Sequence, residues 1–134
     1  MTPIPPSRVL HEWGAISTDL EKAFKRDPKR NWLDILGQAI AGELRFWKVV
    51  GGYLCTQVTR QPGTLKRTWW IVYAGGKHGY LKDWRALMEQ IELQALKERC
   101  VELRFEGRDW RKAFPDYSAH KGADGRWHFA KRLA

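Results

Sequence analysis

Apolar residues in the first third of the chain recur at helical spacing, and beyond residue 43 they change to the spacing of strands. Residues 1–10 carry three prolines and are expected to run as an extended lead-in. Ser17 or Thr18 can cap a short helix reaching about Arg26, with Glu21 placed as in a capping box and Asp27-Pro28 as the stop. Asn31 can cap a second helix from Trp32 to about Ala41, in which Trp32, Leu33, Leu36, Ala39 and Ile40 recur at helical intervals. Gly42 is its expected terminator.

Strand signals follow. Residues 44–50 and 53–60 are β-rich runs joined by Gly51-Gly52, the pattern of a hairpin. After the turn at Gln61-Pro62-Gly63-Thr64, the apolar run from Arg67 to Ala74 fits a central strand covered on both faces, so three antiparallel strands form a meander. Gly75-Gly76-Lys77-His78-Gly79 is expected to break that strand, with glycines at positive φ, and to lead into the longest helix. That helix runs to about Arg99 and carries the stripe Trp84, Leu87, Met88, Ile91 and Ala95. Val101–Phe105 begins at once as a strand, so strand, helix and strand form a βαβ unit with a parallel pair. A short helix around 109–114, ended by Pro115, and a last strand over 127–133 complete a single α+β domain spanning 1–134.

Composition narrows the setting. Eight Trp in 134 residues predict a core packed by large aromatics. No run approaches the roughly 20 apolar residues of a membrane span, and the first residues lack the basic and apolar segments of a signal peptide. Cys55 and Cys100 lack CxxC spacing and read as buried, reduced thiols. The formal charge of +9 favours anionic partners: nucleic acid, acidic protein surfaces or an anionic cofactor. The basic residues are dispersed, with no run of five, and the four histidines have no metal-ligand spacing.

Several local features carry a resemblance. They are Phe46-Trp47, the Gly51-Gly52 turn, the segment 70–76 (WIVYAGG), Trp84 opening the long helix, and residues 106–117 (EGRDWRKAFPDY). Together with the element order, they resemble the GNAT (N-acetyltransferase) superfamily, and in particular small GNAT-like proteins encoded by tailed bacteriophages. The resemblance extends from about residue 30 to the end. It implies a GNAT-like fold: two N-terminal helices, an antiparallel meander, a long helix, a parallel strand pair, a short helix and a final strand.

The resemblance also implies where the chemistry would sit. In the superfamily, the loop after the strand equivalent to 67–74 holds the acyl-CoA pyrophosphate on backbone N–H groups through a Gln/Arg-x-x-Gly-x-Gly/Ala pattern. The equivalent stretch here makes Tyr73, Gly75, Gly76, Lys77, His78 and Gly79 the cofactor-binding candidates, although that spacing is not reproduced. A Tyr that protonates the departing thiolate is common on the helix after the parallel strand pair; Phe114 takes its position here, with Tyr117 nearby. Glu102 and Glu106 flank a strand and are the candidate bases, with Tyr117 the candidate acid.

These readings favour a phage-encoded GNAT-fold protein, associated with the virion or its assembly, whose acyl-CoA site is degenerate. The resemblance then implies phage virion or assembly proteins as partners and the host cytoplasm or the virion as the location. One alternative is an active acetyl-CoA-dependent N-acetyltransferase. The other is a basic module binding DNA or a host protein, for which the charge speaks.

Overall fold

The computed structural model describes residues 1–77 and 83–134. The N-terminal ten residues are not an extended lead-in. Strand β1 (Thr2–Ile4) pairs with the strand that follows the helices, and helix α1 (Pro6–Asp19) starts immediately after it. Proline at the first helical position has no N–H to leave unsatisfied and a φ already suited to a helix, so the proline-rich stretch initiates α1. Val9 and Ile16, with Leu20 just beyond, bury its inner face. Ser17 and Thr18 therefore lie inside a helix, and their hydroxyls donate back to the Gly14 carbonyl at 3.3 and 2.8 Å. Glu21 forms no capping box; it opens the short helix α2 (Glu21–Lys25) and pairs with Lys25. Helix α3 (Trp32–Ile40) follows the sequence reading: Asn31 accepts from the Asp34 N–H at 2.9 Å, and Gly42 takes φ +80° just past the end.

Strands β2 (Arg45–Val49), β3 (Gly52–Arg60) and β4 (Arg67–Gly76) form the meander. Helix α4 (Trp84–Lys97), capped by Asp83, crosses over to β5 (Glu102–Gly107). The chain closes with β6 (Ser118–Lys121) and β7 (Trp127–Arg132). The sheet order is β1-β2-β3-β4-β5-β7-β6, and β4 with β5 is its parallel pair. No helix among the described residues is long and apolar enough to cross a membrane.

Strand alternation divides the interior into two cores. Trp47, Leu54, Trp69, Leu103, Phe105 and Phe129 face α4, while Phe46, Cys55 and Tyr73 face α1 and α3. Each fully buried large side chain contributes about 1.5–3 kcal/mol. Among the described residues Thr56 is the buried polar side chain, satisfied by the Trp47 indole N–H at 2.8 Å.

Three local readings need correction. Gly75 and Gly76 do not break β4: they pair with Tyr53 and Gly52, and neither has positive φ. Glycine is required there by close approach. A Cβ on Gly75 would fall 2.5 Å from the Asp19 carbonyl oxygen, and one on Gly52 would collide with the Gly75 carbonyl. Residues 109–114 form a turn instead of a helix. Asp109 Oδ1 accepts from the Arg111 backbone N–H at 3.3 Å, which gives the chain a local alternative to helical pairing. Finally, β6 adds an edge strand that the polar stretch Ser118–Lys121 does not announce.

Candidate functional site

The site begins where the parallel pair stops being a pair. β4 and β5 are in register from Thr68–Glu102 to Ile71–Phe105 and no further. β4 then stays with β3 as far as Gly76, while β5 stays with β7 as far as Gly107. A bulge in β4 lies at the parting: Ile71 opposes Thr56 and Tyr73 opposes Cys55, so Val72 is the extra residue. A bulge bends its strand and leaves that residue outside the ladder. The result is a cleft of about 1150 Å³ between the diverging strands. Beyond Ile71 the β4 edge toward β5 has no strand partner among the described residues.

On the α4 side, aromatics line the cleft. Trp84 and Trp110 lie with ring centroids 5.8 Å apart, and Phe114 meets both rings edge-on at 6.4 Å. Trp110 packs across Gly107, where a Cβ would lie 3.3 Å from its ring. On the opposite side, the stretch between α2 and α3 forms one wall. The Tyr73 hydroxyl donates to Asp27 at 2.6 Å and fixes that stretch against β4. Burial first, and the Asp27 bond second, hold the Tyr73 phenol well above its usual range. Arg30 lies next to this pair, and its Nη1 is buried with no hydrogen-bond partner.

Glu106 stands on the other wall. Its carboxylate is 3.3 Å from His128 Nδ1 and 3.9 Å from Arg126, and His128 Nε2 is 3.5 Å from Asp124. His120 stacks on His128 with centroids 5.1 Å apart. Glu106, His128 and Asp124 therefore form a carboxylate–imidazole–carboxylate chain at the rim. The Arg126 backbone N–H, with His128 and Arg126 assisting, holds the Asp124 carboxyl below its ordinary range.

The structure brings some of the sequence candidates to this cleft. Tyr73 and Glu106 line it, and Gly75 and Gly76 continue β4 from it. The Lys77 N–H donates to the Gly51 carbonyl at 3.2 Å, so that amide is not free for an anion, while its side chain is exposed. His78 and Gly79 lie outside the described residues. Glu102 is paired with Arg104 and stands opposite Thr68, at the end of β5 remote from the parting. Tyr117 is buried, with its hydroxyl turned inward to Glu92 at 3.1 Å instead of reaching the surface. Burial and the Glu92 charge push its phenol upward. Sequence reasoning missed Asp27, Arg30, Asp124 and His128. Only the last had a signal within reach, because Glu106 and His128 become neighbours once β5 and β7 are placed in register.

No family model matches the chain, and no curated protein matches it. Solved structures do. The chain is similar to the N-acetylglutamate synthase of Neisseria gonorrhoeae complexed with coenzyme A and N-acetyl-glutamate: TM-score 0.60, 10% identity, 92% of this chain and 33% of that one. It thus spans about one third of that synthase. It is also similar to the PaiA N-acetyltransferase of Thermoplasma acidophilum in complex with coenzyme A, with TM-score 0.56 and 8% identity over 96% of this chain and 95% of that one. At such identities the likeness defines the fold: the chain has a GNAT-like fold, with four helices around a mixed seven-stranded sheet among the described residues.

Proposed function

We propose that the chain binds an acyl-CoA in the parting between β4 and β5 and transfers the acyl group to an amine. The observation that carries this reading is the β4 edge beyond Ile71, which has no strand partner among the described residues and faces an open cleft. An unpaired strand edge offers alternating N–H and C=O groups, which suit a ligand arm built from amides. The aromatic wall from Trp84 to Phe114 suits that arm's methylene groups, and Lys77 at the strand exit suits its phosphates. The residues present thus fit the group, which would supply an activated thioester carbonyl.

The chain's own part is to hold the amine and accept its proton. Glu106 lies on the face of β5 away from α4, because its neighbours Leu103 and Phe105 face α4. On that face it can take the proton from an ammonium or through one water, with His128 orienting its carboxylate. Tyr117 is tied to Glu92 and Phe114 has no proton to give, so neither of them would protonate a leaving thiolate.

Release of free CoA thiol, followed with a thiol reagent across a panel of amines, tests this reading. Cys55 and Cys100 are buried, so the protein adds no background. Turnover that falls about 100-fold or more in Glu106→Gln would support the base assignment. Hydrolysis no faster with protein than without it, for every amine, would defeat transfer.

A second reading treats the fold as a scaffold: a phage-encoded protein of the virion or its assembly, with a degenerate site. It is favoured by Trp32, Leu33 and Ile40, which α3 exposes by more than half away from the cleft, and by the resemblance of residues 106–117. It predicts co-purification with virion proteins and no affinity for acetyl-CoA.

A further inference from the structure

We infer that the acceptor amine carries an anionic group, a carboxylate or a phosphate, which is received by Arg26, Lys29 and Arg30. The binding claim rests on the cleft alone; that the bound molecule is the acyl acceptor rests on the reading above. All three cations belong to the connection between α2 and α3, and all three line the cleft. Among the described residues none of them forms an ion pair, whereas Glu102, Glu106 and Asp109 each pair with an arginine elsewhere. The carboxylate within their own stretch, Asp27, is engaged by the Tyr73 hydroxyl. The Arg30 guanidinium also lies against the Tyr73 hydroxyl, and its Nη1 is buried without an acceptor. A guanidinium nitrogen left in that state is destabilising until an acceptor reaches it, and a planar or tetrahedral oxyanion is the chemistry that suits it best.

The wall faces the acceptor's half of the cleft. Tyr73, which anchors the stretch through Asp27, belongs to the core on the α1–α3 side of the sheet. Glu106 projects to that same side, opposite α4. Cations on one wall and a carboxylate on the other are the complement of a molecule with an anion at one end and an amine at the other. Trp70 is on the same side, its indole donating to Thr59 at 3.0 Å, and gives the molecule's carbon skeleton an apolar floor.

The test is a titration of ¹⁵N-labelled protein, without acetyl-CoA, with succinate, inorganic phosphate and neutral succinamide at constant ionic strength. The expected result is a saturable shift of the Arg30 side-chain and Trp70 indole resonances with succinate or phosphate and none with succinamide. The exposed double variant R26Q/K29Q, which leaves Arg30 and the Tyr73–Asp27 anchor untouched, should weaken binding about 10-fold or more. Which anion binds more tightly distinguishes a carboxylate acceptor from a phosphate one. Non-saturating shifts, or equal binding by the double variant, would overturn the inference. So would competition between phosphate and acetyl-CoA, which would assign these cations to the CoA phosphates. Loss of the anion effect with acetyl-CoA binding intact sinks this inference alone. Anion binding without acetyl-CoA binding sinks the transferase reading alone.

Discussion

Replacing Gly75 by Ala should damage the molecule where α1 meets β4. The new Cβ would lie 2.5 Å from the Asp19 carbonyl oxygen and 3.3 Å from Leu20 Cδ2, and real Cβ atoms do not approach below 3.0 Å. The oxygen is backbone at the end of α1, where Ile16 and Leu20 are fully buried, so no side chain can swing aside. Relief needs a backbone shift of about half an ångström in a close-packed region, and overpacking of this kind costs about 2–3 kcal/mol. For a domain of this size that corresponds to a fall in Tm of roughly 10 °C. Gly37→Ala is the internal control. A Cβ at Gly37 meets nothing within 4 Å on exposed α3, so the same substitution should stabilise by about 1 kcal/mol and raise Tm by a few degrees. Thermal unfolding followed by circular dichroism reads both. Equal Tm for Gly75→Ala and wild type would refute the reasoning, because it would mean that α1 does not approach β4 as closely as the structure has it.

Trp47→Phe removes the donor that satisfies buried Thr56; urea denaturation should show a loss of about 3 kcal/mol, with Thr56→Val in that background recovering roughly 1 kcal/mol. Arg99 ends α4 at φ +61°, so Arg99→Gly should stabilise by about 1 kcal/mol in the same assay, whereas destabilisation would refute backbone strain there. Tyr117→Phe loses the hydroxyl bond to Glu92, which keeps Lys131 at 2.7 Å. It should cost about 1 kcal/mol of stability and leave any acyl transfer within two-fold of wild type; a large loss of rate would restore Tyr117 as an acid.

Local rules were legible in the sequence and tertiary ones were not. The Gly51-Gly52 turn and the Asn31 cap depend on residues within a few positions of one another and read directly, and the crossover from β4 through α4 to β5 follows from the order of strand, helix and strand. The N-terminal prolines were ambiguous because proline suits both an extended lead-in and a first helical turn; burial of Val9 and Ile16 against the sheet decides for the helix. Gly75 looked like a strand break because glycine's two uses, positive φ and close approach, are the same letter in a sequence. At the site, Tyr73 and Glu106 were accessible because they lie at the ends of recognisable strands. Arg30 and Asp27 were not, because their stretch is fixed at the cleft by the bond from Tyr73 to Asp27, 46 residues distant in sequence.

Isothermal titration with acetyl-CoA, run at low and at high salt on the wild type and on Ala74→Phe, tests the central claim most directly. Ala74 lines the cleft at the unpaired β4 edge, where a phenyl group would occupy the ligand's path. The proposed reading predicts one site with micromolar affinity, about −8 kcal/mol, that survives high salt and falls at least ten-fold in the variant. No binding, binding abolished by salt, or equal binding by Ala74→Phe would contradict an acyl-CoA site between β4 and β5.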